Sequence, residues 1–222
     1  MNVVLFGATG MIGQGVLREC LLAPDVDRVL TIGRTPTRVQ HARLREIAHA
    51  DMWNYLPIDD QLRGFDACFF CLGVTSAGMS EADYSRVTYG ITIAAAETLC
   101  RLNPDMTFVF VSGAGADSSE RGRLMWARVK GRTENAIFRL PFKASYAFRP
   151  GAVQPMHGER SRTAAYRVLY AITKPLLPLL RRLWPGQVLT TEQFGRAMLF
   201  VVRHGAPKRV LESSDINALV PA

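Results

Sequence analysis

Two groups of residues in this chain have the types and spacing for chemistry. The first is Gly7, Gly10 and Gly13 in the opening run NVVLFGATGMIGQG. An apolar run over 3–6 enters these glycines, and helix-like spacing follows at once through Met11, Ile12, Val16, Leu17, Cys20 and Leu21. A strand that breaks into a glycine turn and then a helix is built to hold a phosphate. The helix N-terminus offers unpaired N–H groups and the positive end of its dipole. Gly7 permits the tight turn, Gly10 lets backbone approach a pyrophosphate, and Gly13 lets helix pack close to strand. The second group is Ser112, just after the apolar run 107–111, with Trp126 and Lys130 in WARVKG. Four residues apart on a helix, Trp126 and Lys130 share one face. An indole N–H donates a hydrogen bond but releases no proton near neutral pH. Trp126 can therefore polarise an oxygen and cannot serve as acid or base.

Positioning these groups requires alternating strands and helices. Strands are expected over 3–6, 28–32, 44–48, 67–72, 107–111 and 145–148, the fourth nearly all apolar as a buried parallel strand is. Ser80 should cap a helix whose apolar face runs from Tyr84 to Leu102 at helical spacing, until Asn103-Pro104 stops it. A second long helix spans about 123–140 and ends before Pro141. The alternation predicts a doubly wound α/β protein with a parallel sheet. Beyond Gly151 it lapses. Residues 163–173 read as helical, 174–184 are apolar but broken by Pro175 and Pro178, Thr190-Thr191 caps a helix to about Val202, and 209–211 form a last strand. Residues 151–190 are expected to cover a substrate.

The totals narrow the function further. At 222 residues the chain fits a single domain, and 48% hydrophobic with 21% charged residues is ordinary for a folded protein. The net charge of +8 comes from basic residues scattered singly, without a dense run or interleaved aromatics, which argues against nucleic acid. No targeting segment precedes the first strand and the four cysteines look reduced, so a cytoplasmic protein is expected. Cys68 and Cys71 lie three apart in a strand-like run and face opposite sides, so they read as buried thiols rather than a metal or disulfide pair. No metal-binding or triphosphate-binding motif is present.

GATGMIG (7–13), CLG (71–73), VSGAG (111–115), WARVKG (126–131) and FRPG (148–151) occur in an order that resembles the short-chain dehydrogenase/reductase superfamily along essentially the whole chain. More narrowly the chain is similar to the atypical and extended branch, which holds NAD-dependent epimerases and dehydratases, NmrA-like proteins and Tat-interacting-protein-like oxidoreductases. The resemblance implies a Rossmann fold and a nicotinamide dinucleotide. It places the pyrophosphate on Gly7, Thr9, Gly10, Met11, Ile12 and Gly13, the adenine side near Asp51 and Leu72, Gly73 and Val74, and the nicotinamide near Pro150 and Val153. An acidic residue at the end of the second strand would bind ribose hydroxyls and repel a 2′-phosphate. Gly33-Arg34-Thr35 stands there instead, followed by Arg38, which predicts NADP(H) over NAD(H).

The resemblance also implies a Tyr-x-x-x-Lys pair and an upstream serine, the lysine holding the nicotinamide ribose and lowering the tyrosine pKa. Lys130 and Ser112 match, and Trp126 stands in the tyrosine position. Two readings follow. One is an oxidoreductase or epimerase on a small carbonyl or hydroxyl substrate, its proton supplied by Tyr84, His157 or a water relayed by Ser112 and Lys130. The other is an NADP(H)-binding redox sensor or regulatory module without turnover. The substrate is expected to be apolar or anionic, with Arg160 and Arg162 the candidate anion contacts. The Leu-, Tyr- and Arg-containing stretch 166–184 reads as a lid rather than a membrane contact, because its prolines prevent one amphipathic helix. A homodimer through the helices over 84–102 and 124–140 is implied by the resemblance alone.

Overall fold

The computed structural model describes residues 1–159 and 188–220. Most of the expected 151–190 covering segment, with Arg160, Arg162 and the stretches 163–173 and 174–184, therefore lies outside the described residues. The strands are β1 (Asn2–Phe6), β2 (Arg28–Gly33), β3 (Leu44–Ala48), β4 (Ala67–Phe70), β5 (Thr107–Val111), β6 (Ala144–Arg149), β7 (Ala152–Gln154), β8 (Val188–Thr190) and β9 (Val210–Glu212). The helices are α1 (Met11–Leu22), α2 (Glu81–Ser85), α3 (Ile91–Leu102), α4 (Met125–Arg139), α5 (Thr191–His204) and α6 (Ser213–Leu219).

Seven strands form one parallel sheet in the order β3-β2-β1-β4-β5-β6-β9. The order reverses direction between β1 and β4, and a doubly wound sheet opens its binding crevice at that point, outside the carboxyl ends of the strands. Alternate strand residues feed two cores. Val3, Leu5, Phe69, Val109 and Phe148 pack with α1 and α5. Val4, Phe6, Phe70, Phe108 and Phe110 pack on the opposite face with α3 and Ile137 of α4. Cys68 and Cys71 fall into different cores, as alternation along a strand requires.

The helices start where their sequences supply caps. Ser80 Oγ accepts the Asp83 N–H at 3.1 Å to open α2. Thr190 and Gln193 form a reciprocal capping box at α5, with bonds of 3.0 and 3.1 Å. α1 and α5 cross closely because a glycine on each helix leaves room for the other. A Cβ on Gly15 would lie 2.6 Å from Thr191, and one on Gly195 would lie 2.7 Å from Glu19.

Several details depart from the sequence expectation. β4 stops at Phe70, although the Cys71 N–H still reaches Phe6 O at 3.0 Å. The helix expected from Ser80 to Leu102 is interrupted by a π-helical stretch, Arg86–Gly90. A 3-10 segment over Leu56–Leu62, the parallel pair β7-β8 and the short helix α6 were not expected. Their local patterns are brief, and long-range packing decides them.

Candidate functional site

The turn between β1 and α1 is shaped by two glycines that leave no room for a side chain. Gly7 has φ 77°, and a Cβ there would sit 2.6 Å from the Cys71 backbone. A Cβ on Gly13 would sit 2.1 Å from Gly7 O, so α1 lies directly on the strand end. Gly10 is different. It caps α1 in an extended conformation, and a Cβ there would meet only Gly7 O, at 3.3 Å. No side chain caps α1 and no acidic residue stands in its first turn. The N–H groups of Met11, Ile12 and Gly13 thus begin a helix whose positive end has no neighbouring carboxylate on its own first turn. Thr9 O is held by the Gln14 side chain at 3.0 Å. These features suit a bound anion, so the chain's own residues fit a dinucleotide pyrophosphate.

The other candidate residues gather on the same carboxyl edge. Leu72 packs against the α3-side core, Val74 is exposed, and Gly73 has open space around its Cα. Pro150 O accepts the Ala114 N–H at 3.0 Å, tying the end of β6 to the turn after β5. Val153 is buried in β7 opposite Leu189. Asp51 follows β3, and its carboxylate accepts the Trp53 N–H at 3.1 Å. Glu46 of β3 accepts from Thr31 at 3.0 Å and from the Thr37 N–H at 2.8 Å, pinning the loop that carries both arginines. Arg34 and Thr35 are exposed at its start. Arg38 holds φ 68° and, with Thr35 and Thr9, lines a groove of about 790 Å³ beside α1. Arg34 does not line that groove.

The Ser112, Trp126 and Lys130 cluster is more tightly constrained than its spacing suggests. Trp126 lies along the turn after β5, where Cβ atoms on Gly113 and Gly115 would come within 3.9 and 3.6 Å of its ring. Lys130 donates to Ser112 O at 3.1 Å and Val111 O at 3.4 Å, above the face of Phe110 at 5.4 Å. Burial pushes its pKa from 10.5 down to about 8, against the opposing pull of Glu134. Gly131 of the same motif admits the loop 117–122 across α4, since a Cβ there would stand 1.8 Å from Asp117 O. Ser112 is buried, and its hydroxyl donates to Glu134, a side chain with no exposed surface. Glu134 in turn receives Arg149 Nε at 3.0 Å and a terminal guanidinium nitrogen at 2.5 Å. Sequence reading missed Glu134 and Arg149. The available signal was Glu134 one turn beyond Lys130 and the arginine inside FRPG.

Of the expected proton sources, Tyr84 is buried in α2, 2% exposed. His157 is largely open and faces Glu192 at 3.4 Å. Lys130 stands at the Ser112 carbonyl and Glu134 at its hydroxyl. Among the described residues no His, Cys, Asp or Glu group could hold a metal ion, and no helix is long and apolar enough to cross a membrane.

No family model matches the chain. Among curated proteins, protein fmp52-1, mitochondrial, of Aspergillus oryzae is 30% identical over 175 residues, 76% of this chain and 73% of that protein. The chain belongs to the FMP52 family. Protein FMP52-2, mitochondrial, of Scheffersomyces stipitis is 29% identical over 176 residues, covering 77% of this chain and 73% of its own length. These FMP52 relatives are named as mitochondrial, which overturns the cytoplasmic location expected from the sequence. That expectation rested in part on reduced-looking cysteines, which do not separate one reducing compartment from another.

Solved structures give this FMP52-family chain its fold. Bordetella bronchiseptica WbmF in complex with NAD+ superposes with TM-score 0.69 at 14% identity, over 98% of this chain and 76% of that one. A short-chain dehydrogenase/reductase family oxidoreductase from Burkholderia thailandensis superposes with TM-score 0.66 at 18% identity, over 98% and 92%. Bacillus cereus UDP-glucuronic acid 4-epimerase in complex with NAD superposes with TM-score 0.68 at 13% identity, over 96% and 78%. The chain shares the Rossmann-like α/β fold of these structures.

Proposed function

We propose that this FMP52-family protein binds a nicotinamide dinucleotide and acts as an oxidoreductase or epimerase on a small substrate bearing a hydroxyl or carbonyl. The observation that carries the reading is the uncapped N-terminus of α1, opened by Gly10 at the point where the sheet order reverses. The WbmF and UDP-glucuronic acid 4-epimerase structures, which share this fold, were solved with NAD. Gly7, Thr9, Gly10, Met11, Ile12 and Gly13 would hold the pyrophosphate, with Leu72, Gly73 and Val74 toward the adenine side and Pro150 and Val153 toward the nicotinamide. The cofactor supplies hydride transfer when bound. Lys130 supplies the proton in the place the superfamily gives to a tyrosine, and Trp126 orients the substrate oxygen through its indole N–H. The order of the motifs is compatible with an epimerase/dehydratase-like or a Tat-interacting-protein-like branch of that superfamily.

A titration of Lys130 near pH 8 has a stability consequence of known sign. Below pH 8 both folded and unfolded chains carry its proton. Between about 8 and the unfolded value of 10.5 the folded chain has released a proton that the unfolded chain still holds. The Lys130 contribution to stability therefore rises with pH across that window, at no more than about 1.4 kcal/mol per pH unit. Chemical denaturation at pH 7 and 9.5 should show the rise in wild type and a flatter profile in Lys130→Met. Equal profiles would remove the buried ammonium from the account. Proton donation by Lys130 is complete below pH 8 and falls above it.

For the dinucleotide we propose NADP(H) over NAD(H), with Arg34 or Arg38 meeting the 2′-phosphate. A charge-assisted contact of this kind is worth about 1.5–3 kcal/mol. Fluorescence titration should show NADPH binding weakened ~10-fold or more by Arg34→Ala or Arg38→Ala, with NADH binding unchanged. Wild type that binds NADH as tightly as NADPH would sink the preference.

Trp126 supports a second reading, a dinucleotide-responsive regulatory module without turnover. NADPH oxidation against a carbonyl panel separates the two, run on wild type, Trp126→Tyr and Lys130→Ala. Turnover abolished by Lys130→Ala supports the enzyme. Tight NADPH binding with no turnover until Trp126→Tyr is made supports the module.

A further inference from the structure

We propose that Glu134, fixed by Arg149, is a positioning residue that turns the Ser112 hydroxyl away from the substrate as a donor, so that Ser112 meets the substrate only as a hydrogen-bond acceptor. This deepens the proposed function and rests on it: of the hydroxyl and carbonyl forms that the reaction interconverts, Ser112 favours the hydroxyl.

A serine hydroxyl has one proton to donate and two lone pairs. Arg149 gives one N–H to each oxygen of the Glu134 carboxylate, so that carboxylate is an acceptor on both sides. The proton in the Ser112–Glu134 bond therefore belongs to Ser112. Arg149 cannot swing aside. It is also held by Ser118 Oγ at 2.6 Å and by Glu212 at 3.3 Å, on two further segments. The serine backbone is equally fixed, its N–H on Phe148 O at 2.8 Å and its carbonyl under Lys130. Turning the hydroxyl toward a carbonyl would leave a wholly buried carboxylate oxygen short of one hydrogen bond, a loss that a site of this kind resists. A substrate hydroxyl, by contrast, would donate to a lone pair of Ser112 and leave its proton on Glu134. A carbonyl oxygen would face lone pair against lone pair.

The test uses the whole protein and needs no turnover. A Ser112 proton locked onto a buried carboxylate exchanges slowly with water and should give a resolved downfield proton resonance, assigned by its loss in Ser112→Ala. Glu134→Ala risks misfolding, because it takes the bidentate carboxylate partner from a buried guanidinium and leaves it only Glu212 and Ser118. The double variant Glu134→Met/Arg149→Met replaces the ion pair with apolar side chains of similar length, a change that buried pairs commonly tolerate. It should melt as a folded protein and lose the resonance. Propan-2-ol and acetone, each added in the same molar excess to wild type, then read the polarity. Propan-2-ol is expected to shift the resonance and acetone to leave it in place. Absence of the resonance in wild type, its survival in the double variant, or an acetone shift equal to that of propan-2-ol would each overturn the proposal. Titration of NADH and NADPH alongside separates the two readings. Wild type that binds neither loses the proposed function, while the hydroxyl resonance, which needs no cofactor, still decides the orientation of Ser112.

Discussion

Gly13→Ala is expected to lower the melting temperature by about 10 °C or to prevent folding, while Gly10→Ala melts within a few degrees of wild type and loses dinucleotide binding. The two substitutions add the same methyl group three residues apart. At Gly13, inside α1, alanine has a helix propensity advantage of about 1 kcal/mol. That gain is outweighed, because the new Cβ would stand 2.1 Å from Gly7 O and 2.9 Å from the Ala8 Cα, both backbone atoms that no rotamer change can move. Relief requires α1 to lift from β1, and α1 also carries the close crossing with α5 through Gly15. At Gly10 the backbone already has φ −82° and ψ 162°, which alanine adopts freely, and the nearest atom is 3.3 Å away. The apoprotein loses little. The methyl group would, however, occupy the approach to the helix N-terminus, and affinity should fall by at least ~10-fold, about 1.4 kcal/mol. Differential scanning fluorimetry and NADPH titration on the same preparations check both halves. A Gly10→Ala protein that binds as wild type does would mean that the cradle does not hold the anion.

This contrast also marks where sequence is informative. The glycines at 7, 10 and 13 announce the turn because their chemistry is local: strand, turn and helix follow one another within a dozen residues. The seven-stranded parallel sheet is legible for the same reason, through alternating apolar runs and the caps at Ser80 and Thr190. What escaped is long-range. Glu134 reads as one more charge on a helix, and only the fold brings Arg149 from β6 and Ser112 from β5 against it. Arg34 is the residue that the strand-end rule selects, yet Arg38, carried round by the loop that Glu46 pins, is the arginine that reaches the groove. Gly131 looks like a helix-breaking flaw in α4 until the loop at Asp117 is seen passing over it. The substitution of Trp126 for the expected tyrosine was plain in the sequence. Its consequence was not, because the lowered pKa of Lys130 depends on burial by β5 and Phe110.

The largest stability effect outside the glycine turn is expected from Glu134→Ala. The carboxylate has no exposed surface and Arg149 is 9% exposed, so removing Glu134 takes the bidentate partner from a buried guanidinium and leaves it Glu212 and Ser118. Breaking a buried pair in this way costs about 3–5 kcal/mol, whereas replacing both partners with apolar groups is often neutral. For a chain of this size the single variant should melt about 10 °C below wild type. Glu134→Met/Arg149→Met should recover most of that loss, although in the double variant alone Glu212 and Ser118 give up their bonds to Arg149. The coupling between the two sites is the informative quantity, since each single substitution also loses packing. A double-mutant cycle by urea denaturation, with Arg149→Met as the other single variant, measures it directly. Coupling near zero would mean that Ser118 and Glu212 hold Arg149 well enough alone, and that Glu134 is not the anchor through which β5, α4 and β6 fix Ser112. Strong coupling, with the double variant close to wild type in stability and altered only in how it treats Ser112, would assign the pair to the site and not to the fold.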